Sequence, residues 1–143
     1  MPVTLDEDPG RAFEALDEDE CFRLLHDGSF GRVAVCQGEV AAVFPVIYRA
    51  LNRAIYFFTA TGTKLDAATR GATVSFEIDH FDVEYHHGWS VLAVGVAQEV
   101  HEPLIREITV KLPLVPWAPG SRNHLVQIWP DFVSGRRITF GKT

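Results

Sequence analysis

Apolar and polar residues alternate at period two along much of this chain, and fall at helical spacing only in short stretches. That pattern predicts a mostly β protein with a few peripheral helices. In "GRVAVCQGEVAAVFPVIY" (31–48) two apolar runs flank Gln37-Gly38-Glu39, a hairpin signature. "RALNR" (49–53) is expected to turn the chain into a further strand, "AIYFFTA" (54–60), making a three-stranded meander. "ATVSFEID" (72–79) sets Val74, Phe76 and Ile78 against Ser75, Glu77 and Asp79, a half-buried strand. "HFDVEYHHG" (80–88) reads as a loop or an edge excursion. "WSVLAVGVAQEV" (89–100) is continuously apolar, as a central strand is, with Gly95 where the sheet bends. "LVQIW" (125–129) and "SGRRITF" (134–140) supply the last strands, after a proline-rich loop, "PLVPWAPGSRNH" (113–124).

Three helices fit between these strands. Asp17 followed by Glu20 resembles a capping box, and the acidic first turn suits the helix dipole. Cys21, Leu24 and Leu25 form that helix's apolar stripe, and Gly28 is the expected stop. Residues 64–70 predict a short helix ended by Gly71. Leu104, Ile105, Ile108 and Leu112 share a helical face over 103–112. At least six strands with two or three short helices argue for a closed antiparallel barrel, since the early connections are too short for parallel crossovers. Residues 1–15, broken by Pro2, Pro9 and Gly10, read as a loose leader before a single domain over 16–143.

The 143 residues are about half apolar and 22% charged, an ordinary globular composition. A net charge of −6 argues against a general affinity for nucleic acid, so any anion site must be a local cluster. No apolar run reaches bilayer length, and the acidic N-terminus lacks a signal-peptide layout. A cytoplasmic protein without membrane contact is expected. Cys21 and Cys36 stand in no metal-like spacing and read as free thiols in a reducing compartment.

The candidate chemistry lies where "AIYFFTA" gives way to "TGTKLDAAT". Thr59, Thr61, Gly62, Thr63 and Lys64 bring hydroxyls, a glycine and an ammonium to the start of a helix, parts that suit a phosphate. A plainer reading stands beside it: Thr61 or Thr63 caps the helix and Lys64 is solvated. The terminal "FGKT" is no P-loop, because Arg136 stands where the first glycine is required. His80, Asp82, His86 and His87 lie close in sequence, yet adjacent histidines on a strand point to opposite faces. They read as a solvated loop, with no metal site expected. The "GRR" at 135–137 is too short for a nucleic-acid contact.

In order and spacing, "FGRVAV" (30–35), "PVIY" (45–48), "IYFFTATGTKL" (55–65), "VSFEID" (74–79) and "GWSVLAVGVAQEV" (88–100) resemble the pyridoxamine 5′-phosphate oxidase-related flavoproteins, near the nitroimidazole-resistance proteins. The resemblance implies a six-stranded antiparallel split β-barrel that forms a homodimer, with flavin mononucleotide (FMN) in a cleft at each side of the subunit interface. Carried over residue by residue, it implies that Thr59, Thr63 and Lys64 hold the flavin phosphate. Pro45, Val46 and Tyr48 would lie along the ring, with Trp89 and Ser90 near the ring or ribityl chain. Trp129, with Arg137 or Arg136, would reach across the dimer. Two departures argue against oxidation of pyridoxamine phosphate itself: "GRRITFGKT" carries no Arg-x-His element, and Thr63 stands where those oxidases carry an arginine before the lysine.

Two function classes follow. One is an FMN-dependent oxidoreductase moving a hydride to or from a small molecule of quinone or nitro type. There the cofactor does the chemistry and no catalytic side chain is required. The other is a non-catalytic binding or carrier module for flavin, deazaflavin or haem.

Overall fold

The computed structural model describes residues 11–112 and 123–140. The expectations for residues 1–10, for 113–122 of the proline-rich stretch and for 141–143 lie outside them. Eight strands and three helices are present among the described residues: β1 (Arg11–Leu16), α1 (Glu18–Asp27), β2 (Phe30–Gln37), β3 (Val40–Ile47), β4 (Arg49–Leu51), β5 (Ala54–Ala60), α2 (Lys64–Ala68), β6 (Thr73–Asp82), β7 (His87–Val100), α3 (Leu104–Lys111) and β8 (Asn123–Phe140). Every pairing is antiparallel. The sheet follows the path β3-β2-β6-β7-β8-β5-β4, and β1 adds to β8.

The mostly β class and the antiparallel barrel with peripheral helices hold, with two strands more than the six expected. The barrel is not closed by hydrogen bonds: β3 and β4 are the two ends of the path, yet only Tyr48 separates them in sequence. The meander is therefore corrected, because β5 pairs with β8 and β4 rather than with β3. Tyr48 causes the crossing. Its N–H donates to the Ser29 carbonyl at 3.0 Å, its ring is fully buried edge-on to Phe76, and its hydroxyl donates to the Leu25 carbonyl at 2.8 Å. Burying an aromatic ring of this size stabilises the bend by about 2–3 kcal/mol.

Other differences have local causes. Residues 11–15, read as leader, belong to β1, which pairs with the end of β8. The turn read over 49–53 shortens to Asn52-Arg53, with Asn52 at φ 55°. Residues 80–88 form a hairpin tip between β6 and β7. The two final strands are one. At its middle a register shift sets Gly95 opposite Pro130, where a proline can sit in a ladder. A Cβ on Gly95 would lie 2.3 Å from the Trp129 carbonyl, so close approach explains that glycine.

The helix caps are partly as read. Asp17 accepts from the Glu20 N–H at 2.8 Å, but the Glu20 carboxylate turns away to Arg23, so the box is half formed. Gly28 is extended at φ −83°, not left-handed. It is small because a Cβ there would stand 2.3 Å from the Tyr48 hydroxyl.

The inner sheet face carries the main core: Val33, Ile55, Phe57, Phe76, Val91 and Ile128, with α1 adding Cys21 and Leu25. On the other side of β5, Ala54 and Tyr56 pack with Val100, Leu125 and the α3 residue Ile108. Cover on both faces explains the unbroken apolar run of β5. No helix among the described residues is long and apolar enough to cross a membrane.

Candidate functional site

β5 runs into a tight turn at Thr61-Gly62, where Gly62 takes φ +83° in open space, a backbone conformation that glycine alone adopts cheaply. Thr63 then caps α2. Its hydroxyl accepts from the Asp66 N–H at 3.1 Å and donates to the Ala60 carbonyl at 2.7 Å. The capping reading of Thr63 thus holds, and its hydroxyl is engaged. Leu65 is buried beneath the helix, while Lys64 projects into solvent.

Beside this turn lies a cleft of about 340 Å³, lined by Phe44, Pro45, Ala60, Thr63, Lys64 and Leu65. It opens in the split of the barrel, between the β3 edge on one side and β5 and α2 on the other. Its walls are largely apolar, and among the described residues its one cation is Lys64. No carboxylate among the described residues pairs with that ammonium. An unneutralised cation at the rim of an apolar cleft can bind a ligand with a planar apolar body and an anionic tail.

The sequence-derived candidates separate into three groups. Pro45, Thr63 and Lys64 come together at the cleft. Val46, Tyr48 and Thr59 are buried and face inward. Strand alternation puts Val46 opposite in direction to Pro45. Tyr48 is the core bend already described, and the Thr59 hydroxyl donates to Asp66 at 2.9 Å. Trp89, Ser90, Trp129 and Arg137 lie elsewhere on the sheet. Ser90 pairs with Asp79 on β6, two residues along from Glu77 in the row that holds Pro45 and Arg32, and with Arg136 on β8. Trp89 packs partly on the core, Trp129 is exposed, and Arg137 lies 4.0 Å from Glu14 and 3.8 Å from Glu20. None of these four is among the described residues that line the cleft.

Sequence reasoning missed Phe44, Ala60 and Leu65 as walls, and missed Asp66 beneath the turn. Asp66 is 4% exposed and accepts from Thr59, from the Gly62 N–H at 3.0 Å, and from His124 Nδ1 at 2.5 Å. Burial pushes its carboxyl up, but hydrogen bonds from His124, the Gly62 amide and Thr59 outweigh this and hold it at about 2. The acidic residue in a helix's first turn was visible, but not its inward direction. His80, Asp82, His86 and His87 stay at the hairpin tip, and no group of metal-ligating side chains occurs among the described residues.

The outer face of the sheet adjoins the cleft. Phe30, Val43, Ile47, Trp129 and Phe132 are each more than half exposed on it. Pro45 shares a cross-strand row with Arg32 and Glu77, so one row links the cleft wall to this face. Arg32 lies 3.4 Å from Glu77 and 3.3 Å from Asp79. Burial, then the neighbouring Asp79, push the Glu77 carboxyl up to about 7 against the pull of Arg32.

Comparison with known proteins gives one consistent picture. A family model described as pyridoxamine 5′-phosphate oxidase matches residues 17–137. An uncharacterized protein of Mycobacterium tuberculosis is 33% identical over 128 residues, covering 86% of this chain and 84% of that protein. The FAD binding protein from Mycobacterium smegmatis superposes with a TM-score of 0.82 at 34% identity, over 90% of this chain and all of its own. An FAD-binding protein from Mesorhizobium loti, 21% identical, shares the fold with a TM-score of 0.69 over 87% of this chain and 97% of its own.

Proposed function

Since the chain belongs to the pyridoxamine 5′-phosphate oxidase family, we propose that it binds a flavin nucleotide in the cleft beside Lys64 and acts as a flavin-dependent oxidoreductase on a small molecule. The observation that carries this reading is the Lys64 ammonium, with no carboxylate partner among the described residues, at the rim of an apolar cleft. Lys64 would hold the phosphate next to the ribityl chain, while Phe44, Pro45 and Leu65 offer apolar surface to the rest of the ligand. The bound flavin would supply hydride transfer to or from a quinone- or nitro-type partner. The chain's own residues bind, orient and shield it, and none is assigned a proton-transfer role.

FMN is the smallest ligand meeting this description. The likeness to the M. smegmatis FAD binding protein favours a second reading, in which an adenylate extends from the same phosphate. The reading includes a homodimer. The exposed apolar outer face adjoins the cleft, so a second copy seated there would wall the open side and bring its own Ser90 and Trp129 to the seam.

Mass spectrometry of the small molecule released on denaturation, with the visible spectrum of the purified protein, tests the ligand class. A flavin spectrum bleached by reduced nicotinamide supports the enzyme. A Soret band, or a colourless protein that ignores added flavin, supports the carrier or degenerate module instead. Lys64→Ala should weaken FMN binding by about 1.5–3 kcal/mol and leave riboflavin binding nearly unchanged. Equal losses for the two ligands would remove Lys64 from the phosphate.

A further inference from the structure

We propose that Asp66 is the positioning residue of the cleft and that His124 fixes it, so that the sheet sets the height and direction of Lys64 from beneath. The inference rests on the cleft being the flavin-phosphate site. A helix of five residues cannot hold its own geometry in water. The turn that carries Lys64 must therefore be clamped from outside, and Asp66 is the clamp.

Its two oxygens divide the work. Oδ1 accepts from Thr59 Oγ1 on β5 and from His124 Nδ1 on β8. Oδ2 accepts from the Gly62 N–H in the turn and from Arg70 beyond α2 at 3.3 Å. Four donors saturate the carboxylate. The Asp66 N–H in turn donates to the Thr63 hydroxyl. Both residues preceding Lys64 are thus tied to Asp66, one through its carboxylate and one through its backbone. Asp66 itself does not line the cleft, so it acts through the turn and not on a ligand.

His124 is the anchor from the neighbouring strand β8. A carboxylate oxygen only accepts, so Nδ1 carries the proton that it shares with Oδ1. Arg70 also lies 3.3 Å from Nδ1, but a guanidinium cannot donate to a nitrogen that already bears hydrogen, and its partner is Oδ2. The other charged neighbour of His124 is Glu99 at 3.5 Å, which itself pairs with His101 at 3.1 Å. An asparagine at 124 would place an amide nitrogen the same number of bonds from Cβ as Nδ1, and so keeps the donor.

The test compares FMN and riboflavin binding, by quenching of flavin fluorescence, in His124→Ala, His124→Asn, Asp66→Asn, Lys64→Ala and the core control Val91→Ala. His124→Ala and Asp66→Asn should lower FMN affinity about tenfold while riboflavin affinity stays within about twofold. His124→Asn should restore FMN binding. Val91→Ala, which destabilises the barrel without touching the turn, should leave the ratio of the two affinities unchanged. A collapsed ratio in Lys64→Ala with an intact ratio in His124→Ala would overturn the positioning role alone. An intact ratio in Lys64→Ala would overturn the phosphate site and the positioning role with it.

Discussion

The buried carboxylate of Asp66 makes a sharp prediction about acid stability. Its folded value of about 2 lies below the ordinary 3.8. A group held down in this way contributes stability that is fully present above pH 3.8 and is lost as the pH falls through about 2. At about 1.36 kcal/mol for each pH unit, this lowering is worth roughly 2 kcal/mol. The side chain is almost wholly shielded, so solvent screening takes little from that figure. Asp66→Asn keeps the shape but turns an amide NH2 toward donors. Urea unfolding of both proteins at pH 7, 5, 4, 3 and 2 checks the effect. At neutral pH the variant should be less stable by about 2 kcal/mol, or on the order of 6–8 °C in Tm for a chain of this length. The gap should hold to pH 5 and narrow steadily below pH 4, as the wild-type carboxyl gains its proton. A gap of the same size at pH 2 and pH 7 would refute the linkage, and would mean that Asp66 acts by shape rather than by charge.

Three further outcomes are expected. Gly28→Ala should destabilise the fold by about 1–3 kcal/mol in denaturant titration, because its Cβ meets a Tyr48 hydroxyl fixed between the core and the Leu25 carbonyl. Glu77 has a raised folded value, so the stability due to its protonated form is present below pH 4.5 and lost as the pH rises through about 7. Glu77→Gln should accordingly raise Tm at pH 8 and leave it unchanged at pH 4. Phe132→Asp on the outer sheet face should convert the proposed dimer to a monomer in light scattering, while Val110→Asp, exposed on α3, should leave assembly unchanged.

The strands were legible because a half-buried sheet writes its burial into period two. Val74, Phe76 and Ile78 point inward as their spacing predicts. The Gln37-Gly38-Glu39 hairpin was equally local, with Gly38 at φ +65° supplying the turn. Strand partners were not legible. The route of β5 to β8 depends on Tyr48 crossing the core, a long-range packing choice with no local signature. The site divided the same way. The glycine, hydroxyls and lysine of the turn announce a compact polar bend, and the structure makes one. Which hydroxyls face outward depends on Asp66, whose partner His124 lies 58 residues away. In the structure the Thr59 and Thr63 hydroxyls hydrogen-bond within the turn, and Thr63 and Lys64 line the cleft.

Pro45 has a second consequence beyond walling the cleft. A split barrel leaves a free rim, and a long rim strand rich in valine invites edge-to-edge growth with another chain. Proline has no amide hydrogen to offer an incoming strand, and it is tolerated in β3 because that strand has a neighbour on one side only. The opening of the barrel is thereby kept from becoming a template for aggregation.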